Sequence, residues 1–146
     1  MVLSDFNFEN IELDDYLNQI EQLLTLAAGE LPDDVQEALK QIEQLEDDKI
    51  ITKVNLVRRF IEKFPDDESG PRLLIETASK VYLLLNDRYL TKALLKKVLI
   101  NYSQKLDYCY EATKILKTVY EDEGNILWRR YEKIAKVIEV ILRGNA

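Results

Sequence analysis

Residues 56–64 read Leu-Val-Arg-Arg-Phe-Ile-Glu-Lys-Phe, and residues 94–102 read Leu-Leu-Lys-Lys-Val-Leu-Ile-Asn-Tyr. Over this 38-residue offset apolar positions meet apolar positions, and Arg58-Arg59 meets Lys96-Lys97. The register continues downstream, where Val81-Tyr82 recurs as Val119-Tyr120, and upstream, where Ile51-Thr-Lys-Val recurs as Leu90-Thr-Lys-Ala with a one-residue slip. Weaker echoes accompany it. Leu31-Pro-Asp-Asp returns as Phe64-Pro-Asp-Asp after 33 residues, Ile20-Glu-Gln-Leu as Ile42-Glu-Gln-Leu after 22, and Leu127-Trp-Arg-Arg-Tyr131 starts a third copy, earlier in its helix. A helix pair repeated every 33–38 residues cannot bury its apolar face alone and stacks on its copies, so the repeat predicts an α-solenoid.

Outward from this repeat, seven amphipathic segments follow the 3.6-residue period. Their apolar stripes run through Leu13–Ala27, Val35–Leu45, Ile50–Phe64, Leu74–Leu85, Leu90–Tyr102, Tyr108–Val119 and Leu127–Ile141. The punctuation agrees: Gly29 stops the first segment, Pro32 opens the second, and Pro65 closes the third. Ser69 is the expected cap of the fourth, Asn86-Asp87 forms the next turn, and a Glu121–Gly124 turn precedes the last. Four Gly and three Pro in 146 residues are too few turn-formers for a β-sandwich or barrel, while 47 % apolar residues suffice for a core. The expectation is an all-α chain of about seven helices, in antiparallel hairpins stacked as a short solenoid. Residues 1–10 form an N-terminal tail, 11–48 an acidic helical hairpin and 49–146 the repeat body, with 11–146 one continuous domain.

The stretch from Phe60 to Leu99 resembles a tetratricopeptide (TPR) repeat. It has a Pro at the junction, small residues Ala78 and Ala93 where helices meet, and Asp87, Tyr89 and Ala93 approximating the D-Y-x-x-A start of a second helix. Asp107-Tyr108 and Ala112 resemble that start again. The chain departs from the pattern by a spacing one or two residues too long, by lacking a Trp-Leu-Gly triplet, and by the position of Trp128. The resemblance implies a TPR-like architecture across residues 31–143 and, with it, a groove that holds another protein or peptide.

Several function classes are disfavoured. With no His there is no His-based triad, His-ligated zinc or imidazole acid–base chemistry. Four scattered glycines make neither a P-loop nor a dinucleotide turn. The Asp66–Gly70 acidic turn has Pro71 where an EF-hand needs Gly, and the pairs Asp14-Asp15 and Asp47-Asp48 read as helix starts. Cys109 lacks a His partner and is expected as a buried, neutral thiol. The expectation is a non-enzyme with no cofactor and no metal. No stretch reads as a signal peptide or a span of roughly 20 apolar residues, so a cytoplasmic protein without membrane insertion is expected; the exception would be an exported body lacking its signal.

Net charge is −7, which argues against nucleic acid as principal ligand. Its distribution is sharply divided: residues 1–48 carry fourteen acidic residues against Lys40 alone, and residues 49–146 carry nineteen basic against thirteen acidic. Such a split suggests two functional parts, or one part folded over the other. Two groups are candidates for partner binding. The doublets Arg58-Arg59, Lys96-Lys97 and Arg129-Arg130 would form a basic stripe if the repeats stack in register. They would meet an acidic partner or the chain's own acidic segment; a solvated face is the competing reading. Tyr82, Tyr89, Tyr108 and Trp128 supply aromatic area with a polar end, as binding surfaces do, or else fill a thin core. The functional expectation is a TPR-like adaptor or chaperone-like scaffold. A closed bundle that self-associates as a homo-oligomer, or an acidic mimic, is the alternative.

Overall fold

A computed structural model of the chain describes residues 31–144. The expected tail and the first amphipathic segment, Leu13–Ala27, lie outside these residues. Six of the seven expected segments are present among the described residues, all α-helical, with no strand. They are α1 (Val35–Glu43), α2 (Ile50–Lys63), α3 (Ser69–Leu85), α4 (Arg88–Asn101), α5 (Leu106–Asp122) and α6 (Trp128–Gly144); a 3-10 turn, Asp47–Lys49, leads into α2.

The sequence repeat has a counterpart in helix lengths. α2 and α4 are both 14 residues long and start 38 residues apart, while α3 and α5 are both 17 residues and start 37 apart. Neighbours in sequence are neighbours in space, with α5–α6 and α3–α4 the most extensive pairings; α3 also meets α5. Side-chain links fix the directions. Tyr82 near the end of α3 donates to Asp122 at the end of α5, so these helices are parallel. Lys92 at the start of α4 pairs with Glu123 just past α5 at 2.8 Å, so α4 and α5 are antiparallel.

The connections follow from local chemistry. Asn86 ends α3 with φ +51°, a left-handed conformation that Asn tolerates better than most residues. Asp87 then caps α4, its carboxylate accepting from the Leu90 amide at 3.0 Å. Gly124 takes φ +67° and Asn125 accepts from the Leu127 amide at 3.0 Å, which turns the chain from α5 into α6. One capping expectation is corrected: Asp67, not Ser69, supplies the side chain, accepting from the Ser69 amide at 2.8 Å. Ser69 itself is the first helical residue, because the carboxylate two positions earlier already occupies the free amide.

The core runs the length of the stack, with Ile42, Phe60, Leu73, Leu74, Leu90, Leu94, Leu95 and Leu116 fully buried. Each such side chain contributes roughly 1.5–3 kcal/mol through burial. The division of charge is folded up in part. Asp33, Glu43 and Asp47 of the acidic stretch pair with Lys63 (2.8 Å), Arg72 (3.2 Å) and Lys80 (2.8 Å) of α2 and α3. Lys63 holds the exposed Asp33 carboxyl below the ordinary carboxylate range by hydrogen bonding and charge, and Lys80 does the same for Asp47.

Candidate functional site

A groove of about 420 Å³ opens along the α5–α6 hairpin. Tyr110, Lys114, Ile115, Lys117 and Thr118 come from α5, since i, i+4 and i+7 spacing places Tyr110, Lys114 and Lys117 along one helix edge. Glu132, Ala135, Lys136 and Glu139 of α6 form the facing wall, and Tyr82 of α3 closes the end. The volume lies within the range of ligand-sized clefts. Ile115 and Ala135 supply the apolar floor, and two phenols with three ammonium groups supply the polar contacts.

Tyr82 is oriented by its hydrogen bond to Asp122, which is also the leading reason its phenol is pushed above the ordinary tyrosine value. The Lys114 ammonium lies 5.3 Å from the Tyr110 ring centre, a cation–π distance. Lys117 reaches Glu121 at 3.7 Å, Glu132 at 3.5 Å and the Trp128 ring at 6.0 Å. Lys136 meets Glu132 at 3.1 Å; that hydrogen bond, with the charge of Lys117 beside it, holds the Glu132 carboxyl below its ordinary range. A second recess of about 310 Å³, lined by Trp128, Arg129, Glu132, Lys133 and Lys136, shares Glu132 and Lys136 with the first. The two form one track along α6. Along it five basic side chains, at 114, 117, 129, 133 and 136, outnumber the carboxylates of Glu132 and Glu139.

Of the residues singled out from sequence, Tyr82, Trp128 and Arg129 line this track. The other candidates lie elsewhere. Tyr89 is exposed at the start of α4, and Tyr108 is half-buried on α5 and packs against the core. Arg130 is exposed near the start of α6. Arg58 and Arg59 are half-buried on α2, with Arg58 reaching Glu62 at 3.6 Å. Lys97 is buried at 8 % exposure, and Lys96 reaches back to 5.7 Å from the Tyr120 ring.

The doublets therefore do not make one level stripe. Those of α2 and α4 each occupy the ninth and tenth helical positions, whereas Arg129-Arg130 takes the second and third of α6. Seven residues at 1.5 Å each put the third doublet about 10 Å away along the axis. The reason is that α6 begins at Trp128, within the repeated string. Lys92 and Lys96 serve the α4–α5–α6 junction instead. The Tyr120 ring lies 4.7 Å from Lys92 and stacks on Tyr131 at 5.1 Å between ring centres. Burial pushes the Tyr131 phenol up to about 12.

Sequence reading named Tyr110 among the clustered tyrosines but missed Lys114, Lys117 and Lys136. The signal available was the Tyr110–Lys114–Lys117 spacing on one helix edge, outweighed by the more conspicuous doublets. On α5, next in sequence to Tyr110, Cys109 is fully buried, its thiol donating to the Tyr102 carbonyl at 3.1 Å and pushed up to about 12 by burial. Such a thiol stays protonated and packs as a small apolar group. No helix among the described residues is long and apolar enough to cross a membrane. No family model, curated protein or solved structure matches this chain, so its function is read from the geometry of the groove itself.

Proposed function

We propose that the chain is a non-catalytic, TPR-like helical-repeat adaptor or chaperone-like scaffold that holds an acidic peptide segment of another protein in the α5–α6 groove. The observation that carries the reading is the co-location of an apolar floor (Ile115, Ala135), two phenols (Tyr82, Tyr110) and an excess of lysine along one helix hairpin. Apolar side chains of the peptide would fill the floor and give affinity, while Lys114, Lys117 and Lys136 would steer carboxylates and set the register. The repeated 14- and 17-residue helices support a stacked-hairpin scaffold for such a groove.

The test is an amide-shift titration of isotope-labelled protein with a synthetic 15-residue Glu/Leu peptide and its Lys/Leu counterpart. The acidic peptide is expected to shift Tyr110, Lys114, Ile115, Lys117 and Lys136, and the Lys114→Glu, Lys117→Glu variant to lose the response. Equal shifts from both peptides, or shifts scattered over α2 and α3, would refute the groove.

Self-association is the second reading, and a specific feature favours it. Leu83 (83 % exposed), Leu84, Leu85 and Tyr89 lie at the α3–α4 end, and Ile126 (67 %) and Leu127 lie in the loop after α5. The Tyr82–Asp122 and Lys92–Glu123 links show that these belong to the same end of the stack. Exposed apolar clusters of this kind suit contact with a second copy. Light scattering would show a dimer that Leu83→Glu, Ile126→Glu returns to monomer; a monomer at all concentrations would remove this reading.

A further inference from the structure

The two recesses of the α5–α6 track meet at Glu132 and Lys136, which line both. One carboxylate serves two ammonium groups there: Lys136 meets Glu132 at 3.1 Å and Lys117 approaches it at 3.5 Å. Of the other acids nearby, Glu139 pairs with Arg143, outside the track, and Glu121 with Lys117 at 3.7 Å. Lys114 rests against the Tyr110 ring at 5.3 Å, and among the described residues no carboxylate holds it. Lys114, Lys117 and Lys136 therefore face the carboxylates of Glu132 and Glu121 with positive charge in excess, and two of the three ammonium groups already converge on one small anionic group.

A peptide carboxylate entering this junction exchanges one single charge for another, because Glu132 already offers the same group. A phosphate differs in kind. It carries about −1.5 to −2 charges at pH 7 and three strong acceptor oxygens, enough for Lys114, Lys117 and Lys136 together. The ground on either side favours a chain as its carrier. Trp128 lies four residues before Glu132, about 6 Å along α6, and Ala135 lies three residues after it, about 5 Å along, where Ile115 joins it in the floor. An extended chain advances about 3.3 Å per residue and repeats its facing every second residue. Apolar side chains two positions to either side of the phosphate thus reach the Trp128 ring and the Ile115–Ala135 floor from the same face of the chain.

We propose, on the reading of the groove as a peptide seat, that its preferred occupant is a phosphorylated segment, the phosphate displacing the Glu132 carboxylate from Lys117 and Lys136 and apolar side chains two positions away filling the recess on each side. Glu132 is then a resident competitor, which a lone carboxylate replaces without gain and a dianion overcomes. The experiment titrates the full isotope-labelled chain with a nine-residue peptide that has Leu two positions to either side of a central phosphoserine, and with counterparts carrying Glu or Ser at the centre. Phosphoserine alone and inorganic phosphate form further arms. The phosphopeptide is expected to bind roughly tenfold tighter than the Glu peptide, with shifts centred on Lys114, Lys117, Glu132 and Lys136. Glu132→Gln, a change at an exposed position, should tighten it further, by about threefold, while the amide spectrum away from the track stays in place. In the wild type, the titration midpoint of the Glu132 carboxyl, read by carbon-13 shift, should rise toward the ordinary carboxylate value once the phosphopeptide is bound. Equal affinity for the phosphoserine and Glu peptides overturns the phosphate preference and leaves the groove reading standing, whereas no binding by any peptide removes both. Free phosphate or phosphoserine binding as tightly as the phosphopeptide, weaker binding by Glu132→Gln, or an unmoved Glu132 midpoint would each overturn the proposal.

Discussion

Gly70→Ala sets two effects of opposite sign against each other. Gly70 is the second residue of α3, and an alanine in a helix is favoured over glycine by roughly 0.5–1 kcal/mol, less in the first turn. Packing opposes this. A Cβ at position 70 would lie 2.1 Å from the Tyr102 hydroxyl oxygen, 2.7 Å from Cζ and 3.3 Å from Cε1. The ring is rigid and buried, so relief requires it to swing toward the roughly 390 Å³ recess lined by Pro65, Asp66, Asp67 and Ser103. Overpacking of this kind costs about 1–3 kcal/mol, more than propensity returns. The expected net loss is about 2 kcal/mol, or roughly 6 °C in Tm. Tyr102→Phe provides the internal control. It removes a buried hydroxyl that has no partner, so alone it should be neutral or slightly stabilising. In that background Gly70→Ala should cost about 1 kcal/mol less, because the nearest clash is gone while the one at Cζ persists. Urea unfolding of the four-member cycle measures both. A stabilised or unchanged Gly70→Ala, or identical costs with Tyr102 and Phe at position 102, would refute the steric reasoning.

Asp87→Ala removes the cap on α4 and should cost about 1 kcal/mol by urea denaturation; a loss below a few tenths would contradict the capping geometry. At high pH, burial keeps the Tyr102 and Tyr131 phenols protonated up to about 12, whereas an unfolded tyrosine ionises near 10. The unfolded state then binds fewer protons, so stability present below pH 10 is lost as pH rises toward 12, by up to about 2 kcal/mol per tyrosine. Unfolding titrations at pH 8–11 should show that decline, and Tyr131→Phe should flatten it. Glu123→Gln weakens the partner of Lys92 in a largely buried pair and should cost about 1 kcal/mol, measured against Lys92→Met, Glu123→Gln, in which no uncompensated ammonium remains. Cys109 should resist a thiol reagent in the folded chain and react only at the rate of unfolding, so prompt modification would show that the α5 core is less closed than described.

What sequence alone determined is the helical architecture and its punctuation. The 38-residue offset between Leu56–Phe64 and Leu94–Tyr102 reappears as two 14-residue helices, because a 3.6-residue apolar period has one low-energy backbone. Asn86-Asp87, Pro65 and Gly124 act through local φ preferences and amide capping, which need no tertiary partner. The site was only partly legible. Tyr82, Trp128 and Arg129 were marked by residue type, but the groove depends on α6 turning back beside α5 and on Tyr82 arriving from α3. The fates of the basic doublets were likewise settled only by packing. Lys97 is buried and Lys96 reaches toward Tyr120, while the start of α6 at Trp128 moves Arg129-Arg130 two turns out of register. Charge on a helix face can be read from period alone, whereas which neighbouring helix covers that face is decided by long-range packing.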